Sequence, residues 1–416
     1  MNLSTTQEYS FSNSIKLLKT KRFGAFWFAS FLSNIGTWTQ QVAQPWLLLS
    51  LGATPVILGL DALALGAPVW FLTLVGGVLA DKSDRRKIIA RFQFIQMLCP
   101  TLLIILLLLN QVEPWMVVLL SLVIGITDAL SMPSFQTIVS TIVPKEQIPN
   151  GVALNATQFN LTRIIGPAIA GILLVSIGAI GCFAVSALSY IPFILVALWV
   201  LPKHAPKLLN VNDHKRPLFS GIKDVIKIPY LRGGLITVLV SSFFCGPLIT
   251  FSSVLVKSIF HGDALEFSMA MSSFGIGALL GAIGLIYIPA KHDRRKTASI
   301  FSIIFGITLG IIGISPWHDI FPMLMAIAGF SMIFTNISVN TLLQIKAPEL
   351  LKGQTISLFM LASRGGLALG GFFTGILAHS LGIKLTLIIN GVLAVSLQSL
   401  ILFTWLKDRQ QTKRAN

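Results

Sequence analysis

Long apolar runs, separated by short polar turns, repeat along the whole chain at roughly 23–51, 55–80, 91–110, 114–143, 150–178, 180–201, 230–260, 265–290, 297–314, 319–346, 353–381 and 382–406. Each run is about 18 to 30 residues, enough to cross a hydrocarbon layer of roughly 30 Å as a helix rising 1.5 Å per residue. Barrel strands would instead show about ten residues of strict alternation, a pattern missing from this sequence. The pattern therefore predicts an all-α membrane protein with twelve transmembrane helices, since lipid leaves the backbone no other way to satisfy its polar groups.

Polar positions inside the runs are sparse and ordered. In the first run Asn34, Thr37, Gln41 and Gln44 fall on one helical face, with Trp38 beside them. In the fourth, Asp128, Ser131 and Gln136 share a face, and in the tenth Asn336, Asn340 and Gln344 follow at intervals of four. Polar side chains in a membrane are costly and turn toward water or toward each other. These residues are the candidate lining of a substrate cavity; interhelical hydrogen bonds that only hold the bundle together are the alternative. The sixth and ninth runs carry scattered Ser, Thr and Tyr and read as lipid-facing support. Trp46 reads as an anchor at the bilayer interface.

Composition agrees with the pattern: 54% of residues are hydrophobic and 11% charged, with a mean hydropathy of +0.81. A net charge of +16 would suit a nucleic-acid partner, but its placement argues otherwise. With both termini in the cytoplasm, every Lys and Arg lies on the cytoplasmic side or its boundary except Lys257, Lys384, Arg163 and Arg364, as the positive-inside rule requires. No nucleic-acid partner is expected. Cys99, Cys182 and Cys245 have no paired spacing and read as packing residues, so neither a disulfide framework nor a metal site is expected. The six His are dispersed and no phosphate-binding Gly-rich loop occurs, which argues against a membrane-embedded enzyme and against direct use of ATP. The amino-terminal residues lack the features of a removable signal.

The charged cluster DKSDRRK (81–87) returns as KHDRRK (291–296), 209 positions later. A shift of 208 also sets Asp128 on Asn336 and Gln136 on Gln344. VPKEQIPNG (143–151) followed by Arg163 is echoed more loosely by APELLKG (347–353) followed by Arg364. A duplicated six-helix unit follows. The expected organisation is a cytoplasmic arm (1–22), a first bundle (23–201), a basic, Pro-punctuated cytoplasmic linker (202–229), a second bundle (230–406) and a cytoplasmic tail (407–416).

The stretch GVLADKSDRRK (77–87) resembles the loop between helices 2 and 3 of the major facilitator superfamily of transporters. Gly77, Asp81, Arg85 and Arg86 match it, while Lys82 and Asp84 replace the usual Arg and Gly, and the second-half echo has Ala290 near the place of the acid. The resemblance implies the major facilitator fold, two pseudo-symmetric six-helix bundles, with Asp81 and Arg85 in a gate that stabilises the outward-facing state. NATQFNLTRIIGPAIAG (155–171) resembles the Gly-Pro-x-x-Gly element of helix 5 in proton-driven exporters; Gly166, Pro167 and Gly171 match and, with Gly77, Asp81, Arg85 and Arg86, complete the gate candidates that the resemblance implies, while Ala170 stands at the element's first paired Gly. Together with SNIGTWTQQVAQPWLLLSL (33–51), these stretches are similar to the exporter branch that holds enterobactin-exporter-type and macrolide-efflux-type proteins.

Asp128 and Arg163 each lie 13 residues into their runs, hence at about one depth, and form the candidate ion pair for proton coupling, with Asp61 a weaker candidate near the external end. Arg364 is the second-half counterpart of Arg163. The first helix lacks the acid that many cationic-drug exporters carry, so neutral or anionic amphipathic substrates, drug-like or siderophore-like, fit better. The expected protein is a monomeric secondary exporter in a bacterial inner membrane, needing no cofactor and driven by the proton gradient. Import or lipid movement on the same fold, and a non-transporting receptor or scaffold, are the alternatives.

Overall fold

The computed structural model describes residues 16–203, 220–287, 293–315, 318–348 and 351–415. Most of the expected arm and linker, the start of the second basic cluster, and the side chains of Asp81, Gln136 and the expected tail lie outside the described residues.

Among the described residues the long elements are all helices: Lys21–Ser50 (α1), Pro55–Gly66 continued by Pro68–Lys82 (α2), Arg85–Leu108 (α3), Pro114–Ile142 (α4), Ile148–Ser176 (α5) and Ala179–Trp199 (α6). After the linker come Pro229–Ile259 (α7), Ala264–Gly284 (α8), Arg294–Ile314 (α9), Phe321–Lys346 (α10), Lys352–Met360 continued through Leu381 (α11) and Ile383–Ala415 (α12). Eleven of these are long and apolar enough to cross a membrane. The exception, α1, has the length at 30 residues but carries Asn34, Thr37, Gln40, Gln41 and Gln44 on its inner turns.

Local sequence sets the breaks. Proline opens both pieces of α2, as well as α4 and α7, where its missing N–H costs nothing. Gly178 (φ 79°) and Gly382 (φ 78°) end α5 and α11 in the left-handed region that a side chain disfavours. Gly52 and His261, 209 positions apart, reverse the chain after α1 and α7 with φ of 76° and 55°. That interval equals the spacing of the basic clusters, and those clusters prove to be the same structural device. Asp84 caps α3 through the N–H of Arg86, and Asp293 caps α9 through the N–H groups of Arg295 and Lys296. Arg86 donates to the carbonyl of Leu198 at the end of α6 (3.2 Å), while Arg295 lies 5.5 Å over the ring of Trp405, where the apolar, membrane-crossing part of α12 ends. Each arginine ties the start of its half's third helix to the end of the sixth.

The packing is asymmetric along the helix axes. At the end remote from the basic clusters one hydrophobic core draws on all twelve helices, including Val42, Leu58 and Phe183 from the first half and Leu248, Phe267 and Phe305 from the second. At the basic end there are two cores. One holds Phe23, Phe26, Ile89, Val139 and Phe193 from the first half alone; the other holds Leu231, Val238, Val339, Leu343 and Phe359 from the second half alone. The two halves are thus sealed together at one end and separately packed at the other.

Candidate functional site

Mid-membrane charge is concentrated where the seal stops. Asp128 is at the middle of the 29-residue α4, and its carboxylate faces Arg364 of α11 at 3.7 Å. The pair joins the two halves, and its side chains are 48% and 40% exposed for the acid and the arginine. Charges so exposed at that depth would be untenable against hydrocarbon, so they stand at the head of a wet cleft opening toward the basic end. The backbone helps to aim Arg364: it lies in a five-residue π-helical turn, Leu361–Gly365, within α11. Such bulges rotate the helix face and recur at functional sites. Gly365 in the same turn lies against the indole of Trp70.

A chain of amides backs the acid. Ser33 donates to Gln93 (3.2 Å), Gln93 to Gln96 (3.0 Å), and Gln96 to Asp128 (2.9 Å). Tyr190 of α6 is buried and sits 3.4 Å from the Thr37 hydroxyl. The sequence reading missed Gln93, Gln96 and Tyr190, although two amides three positions apart in an otherwise apolar α3 were a visible signal.

The expected Asp128–Arg163 pair is not formed. Arg163 has the depth but is occupied elsewhere, its guanidinium 5.2 Å from the Trp38 ring centre and 4.9 Å from that of Phe159. These aromatic faces attract the cation, and its Nε is buried without a hydrogen-bond partner. The first-helix stripe also divides. Asn34, Thr37 and Trp38 are half-buried and Gln41 exposed, whereas Gln44 is buried and donates to both oxygens of Asp61 (3.0 and 2.9 Å). In the second half Asn336 donates to the Met332 carbonyl (3.0 Å) and Gln344 to Asn340 (3.0 Å) on the basic-end half of α10.

Asp61 belongs to the inside of the first bundle, accepting from Gln44 and from Ser121 at 2.6 Å. Gln40 donates to Gln44 (3.3 Å) and accepts from Ser186 of α6 (2.7 Å). With Tyr190, this makes α6 a bundle-facing helix rather than simple lipid-facing support. In Asp61→Ala the buried donors of Gln44 and Ser121 lose their acceptor, which costs about 1–3 kcal/mol. A lower melting temperature in detergent is the expected readout.

The gate candidates separate into two groups. Gly166, Pro167 and Gly171 sit at contacts that hold helices together. A methyl built on Gly166 would come within 3.1 Å of the Ile35 carbonyl, and one on Gly171 within 2.6 Å of Ser268 on α8. Pro167 deprives the Arg163 carbonyl of its helical partner, and that carbonyl lies against Gly275 of α8. Gly77, by contrast, faces open space; the close approach of α2 to α4 is made one residue earlier, at Gly76, beside the carbonyls of Ala129 and Leu130. Arg85 donates to the Ala80 carbonyl (3.3 Å), and Arg86 pairs with Asp84 at 2.8 Å.

The far-end seal uses residues from both halves. Gly59 and Gly375 bring α2 and α11 into backbone contact. Trp46 stacks on Phe267 of α8 at 5.6 Å, and Lys257 lies 5.2 Å over the Trp46 ring while donating to Ser50 (2.8 Å). Trp46 is therefore part of the inter-half contact and not a free interface anchor. Lys257, one exception to the basic-end rule, has a partner in the seal.

Comparison with known proteins places this geometry. The family described as transmembrane secretion effector matches residues 12–415. The staphyloferrin A transporter of Staphylococcus aureus is 26% identical over 94% of this chain and 98% of its own. The multidrug efflux pump Tap of Mycolicibacterium fortuitum is 27% identical over 90% and 95%, and macrolide efflux protein A of Streptococcus pyogenes 24% over 90% and 93%. The fold is shared with a nucleoside transporter structure, NupG, at a TM-score of 0.76, 14% identity and coverage of 91% and 98%. It is shared too with a bacterial homologue of the human lysosomal transporter Spinster, at a TM-score of 0.71, 15% identity and coverage of 92% and 95%. With twelve helices in two halves around a mid-membrane cleft and a family match over nearly its whole length, the chain belongs to the transmembrane secretion effector family of major facilitator transporters.

Proposed function

We propose that this transporter is a proton-coupled exporter of small amphipathic molecules, drug-like or siderophore-like, working by alternating access. The observation that carries the reading is the single far-end core set against two basic-end cores, with Asp128 and Arg364 bridging the halves where the two arrangements meet. Lys and Arg dominate the basic end, whereas Glu113, Asp263, Glu266 and Asp319 lie at the far end. This bias supports a basic end, and both termini, in the cytoplasm of a bacterial inner membrane. The structure is then inward-facing. The names of the relatives, two of them efflux proteins, support export as the direction.

The chemistry follows from the pair. A carboxylate held by a guanidinium stays ionised, and a proton delivered from the external side releases it. Among the described residues Arg364 from α11 pairs with Asp128, and Gln96 from α3, which donates to it, is neutral. Protonation in the outward state frees Arg364 and the second half, and proton release to the cytoplasm restores the pair seen here. The exporter acts as a monomer on a small-molecule substrate, with the proton gradient as its energy source and no cofactor or nucleic-acid partner.

The test is reconstitution into vesicles with the basic end outward and an acidic interior, using dansyl-phenylalanine and its neutral methyl ester as probes and protein-free vesicles as control. Accumulation above the control that collapses when the pH gradient is dissipated is expected. Equal accumulation with and without a gradient contradicts proton coupling.

A further inference from the structure

Around the head of the cleft, donors outnumber acceptors. Two guanidiniums, Arg163 and Arg364, stand near the middle of α5 and α11, and a single carboxylate, Asp128, serves Arg364. The Nε of Arg163 is buried with no partner, and so is the indole N–H of Trp70 beside the π-turn that carries Arg364. Buried donors without acceptors are rare in folded proteins and call for an explanation. Trp38 and Phe159 form apolar walls against Arg163, and the Asp128–Arg364 contact is half-exposed and, at 3.7 Å, longer than a charge-assisted hydrogen bond.

We propose that the cleft binds an amphipathic carboxylate, whose oxygens displace Asp128 from Arg364 and reach the half-buried guanidinium of Arg163 while its apolar body lies on Trp38 and Phe159. This rests on the transport reading and specifies its substrate class. The charge count supports it: two cations and one anion leave one positive charge, which an anionic guest neutralises and a cationic one would double. In this scheme Asp128 competes with the substrate: it occupies Arg364 in the empty site and yields it to the guest's carboxylate.

The test is binding of dansyl-phenylalanine and its methyl ester to the full-length protein in lipid nanodiscs, followed by fluorescence. The acid is expected to bind about tenfold more tightly than the ester, the scale of a hydrogen bond to a charged group. Arg364→Gln and Arg163→Gln each remove most of that preference, and an unchanged melting temperature in the nanodisc reports an intact fold. Asp128→Asn strengthens acid binding because it removes the competitor, an outcome that a merely structural Asp128 would not give. No binding of the acid, equal binding of acid and ester, or weaker acid binding in Asp128→Asn overturns the proposal. Gradient-driven accumulation without acid preference overturns the carboxylate site and leaves transport standing. Acid preference without gradient-driven accumulation supports the site and contradicts the exporter reading.

Discussion

Asp128→Asn is expected to abolish gradient-driven accumulation while leaving the protein folded. Asparagine keeps the shape and an acceptor for Gln96, which donates to Asp128 at 2.9 Å, but it binds no proton and offers Arg364 no charge. The magnitude of the native interaction suits a switch. Two unit charges about 4 Å apart interact by about 1 kcal/mol in water and about 4 kcal/mol in a surface-like dielectric. The half-exposed pair belongs toward the lower figure. A contact of that size is exchangeable against protonation, whereas a fully buried pair would lock the halves. Accumulation in the variant should fall about tenfold or more, to the level reached without a gradient, with the melting temperature preserved. The same vesicles measure both. Undiminished accumulation would remove Asp128 from the coupling step.

Gly59→Val is the second large effect, and it acts on conformation rather than on protons. A methyl on Gly59 would come to 2.7 Å from the Gly371 carbonyl and 3.1 Å from Phe372 Cα; one on Gly375 would come to 2.6 Å from the Pro55 carbonyl. All three neighbours are backbone atoms of the opposing helix, which have no rotamer to move away. Overpacking of this kind costs on the order of 1–3 kcal/mol. Because the basic-end cores are separate, opening the far end relieves the clash without unpacking either half. The inward-facing state should lose population by roughly 5- to 150-fold relative to the outward one. Labelling of a cysteine introduced at Val152, exposed on the basic-end half of α5, should slow accordingly. Unchanged labelling would mean that the α2–α11 contact does not control the seal.

Much of the architecture was legible because lipid imposes it. Twelve apolar runs, the basic loops and the 209-residue interval all describe constraints that act along the chain. The site was legible by residue and less so by partner. Asp128 and Arg364 were both singled out, yet depth alone paired the acid with Arg163, and depth does not reveal which way a side chain turns. Trp38 and Phe159 hold Arg163, and the π-turn at Leu361–Gly365 re-aims Arg364. A regular helical wheel misses both effects. Gln44 left the cavity stripe because Asp61 and Ser121 offered it buried partners. The exchange of Gly77 for Gly76 is a single step along the chain but about 100° around the helix, which moves a contact from open space to α4. Trp46 sits at a depth where an interface anchor and an inter-half contact look alike until Phe267 is placed beside it.

The central claim, that the halves exchange one closed end for the other, is tested most directly by paired spin-label distances in one preparation. One pair spans the external ends at Thr54 and Ser380, and the other spans the cytoplasmic ends at Val152 and Ile345; all four positions are exposed, and the native cysteines are buried. In wild type the external pair should be close and narrowly distributed. In Gly59→Val, or with the external face acidified in the presence of substrate, it should lengthen while the cytoplasmic pair shortens. Distances that stay fixed, or that lengthen together, would contradict alternating access in this protein.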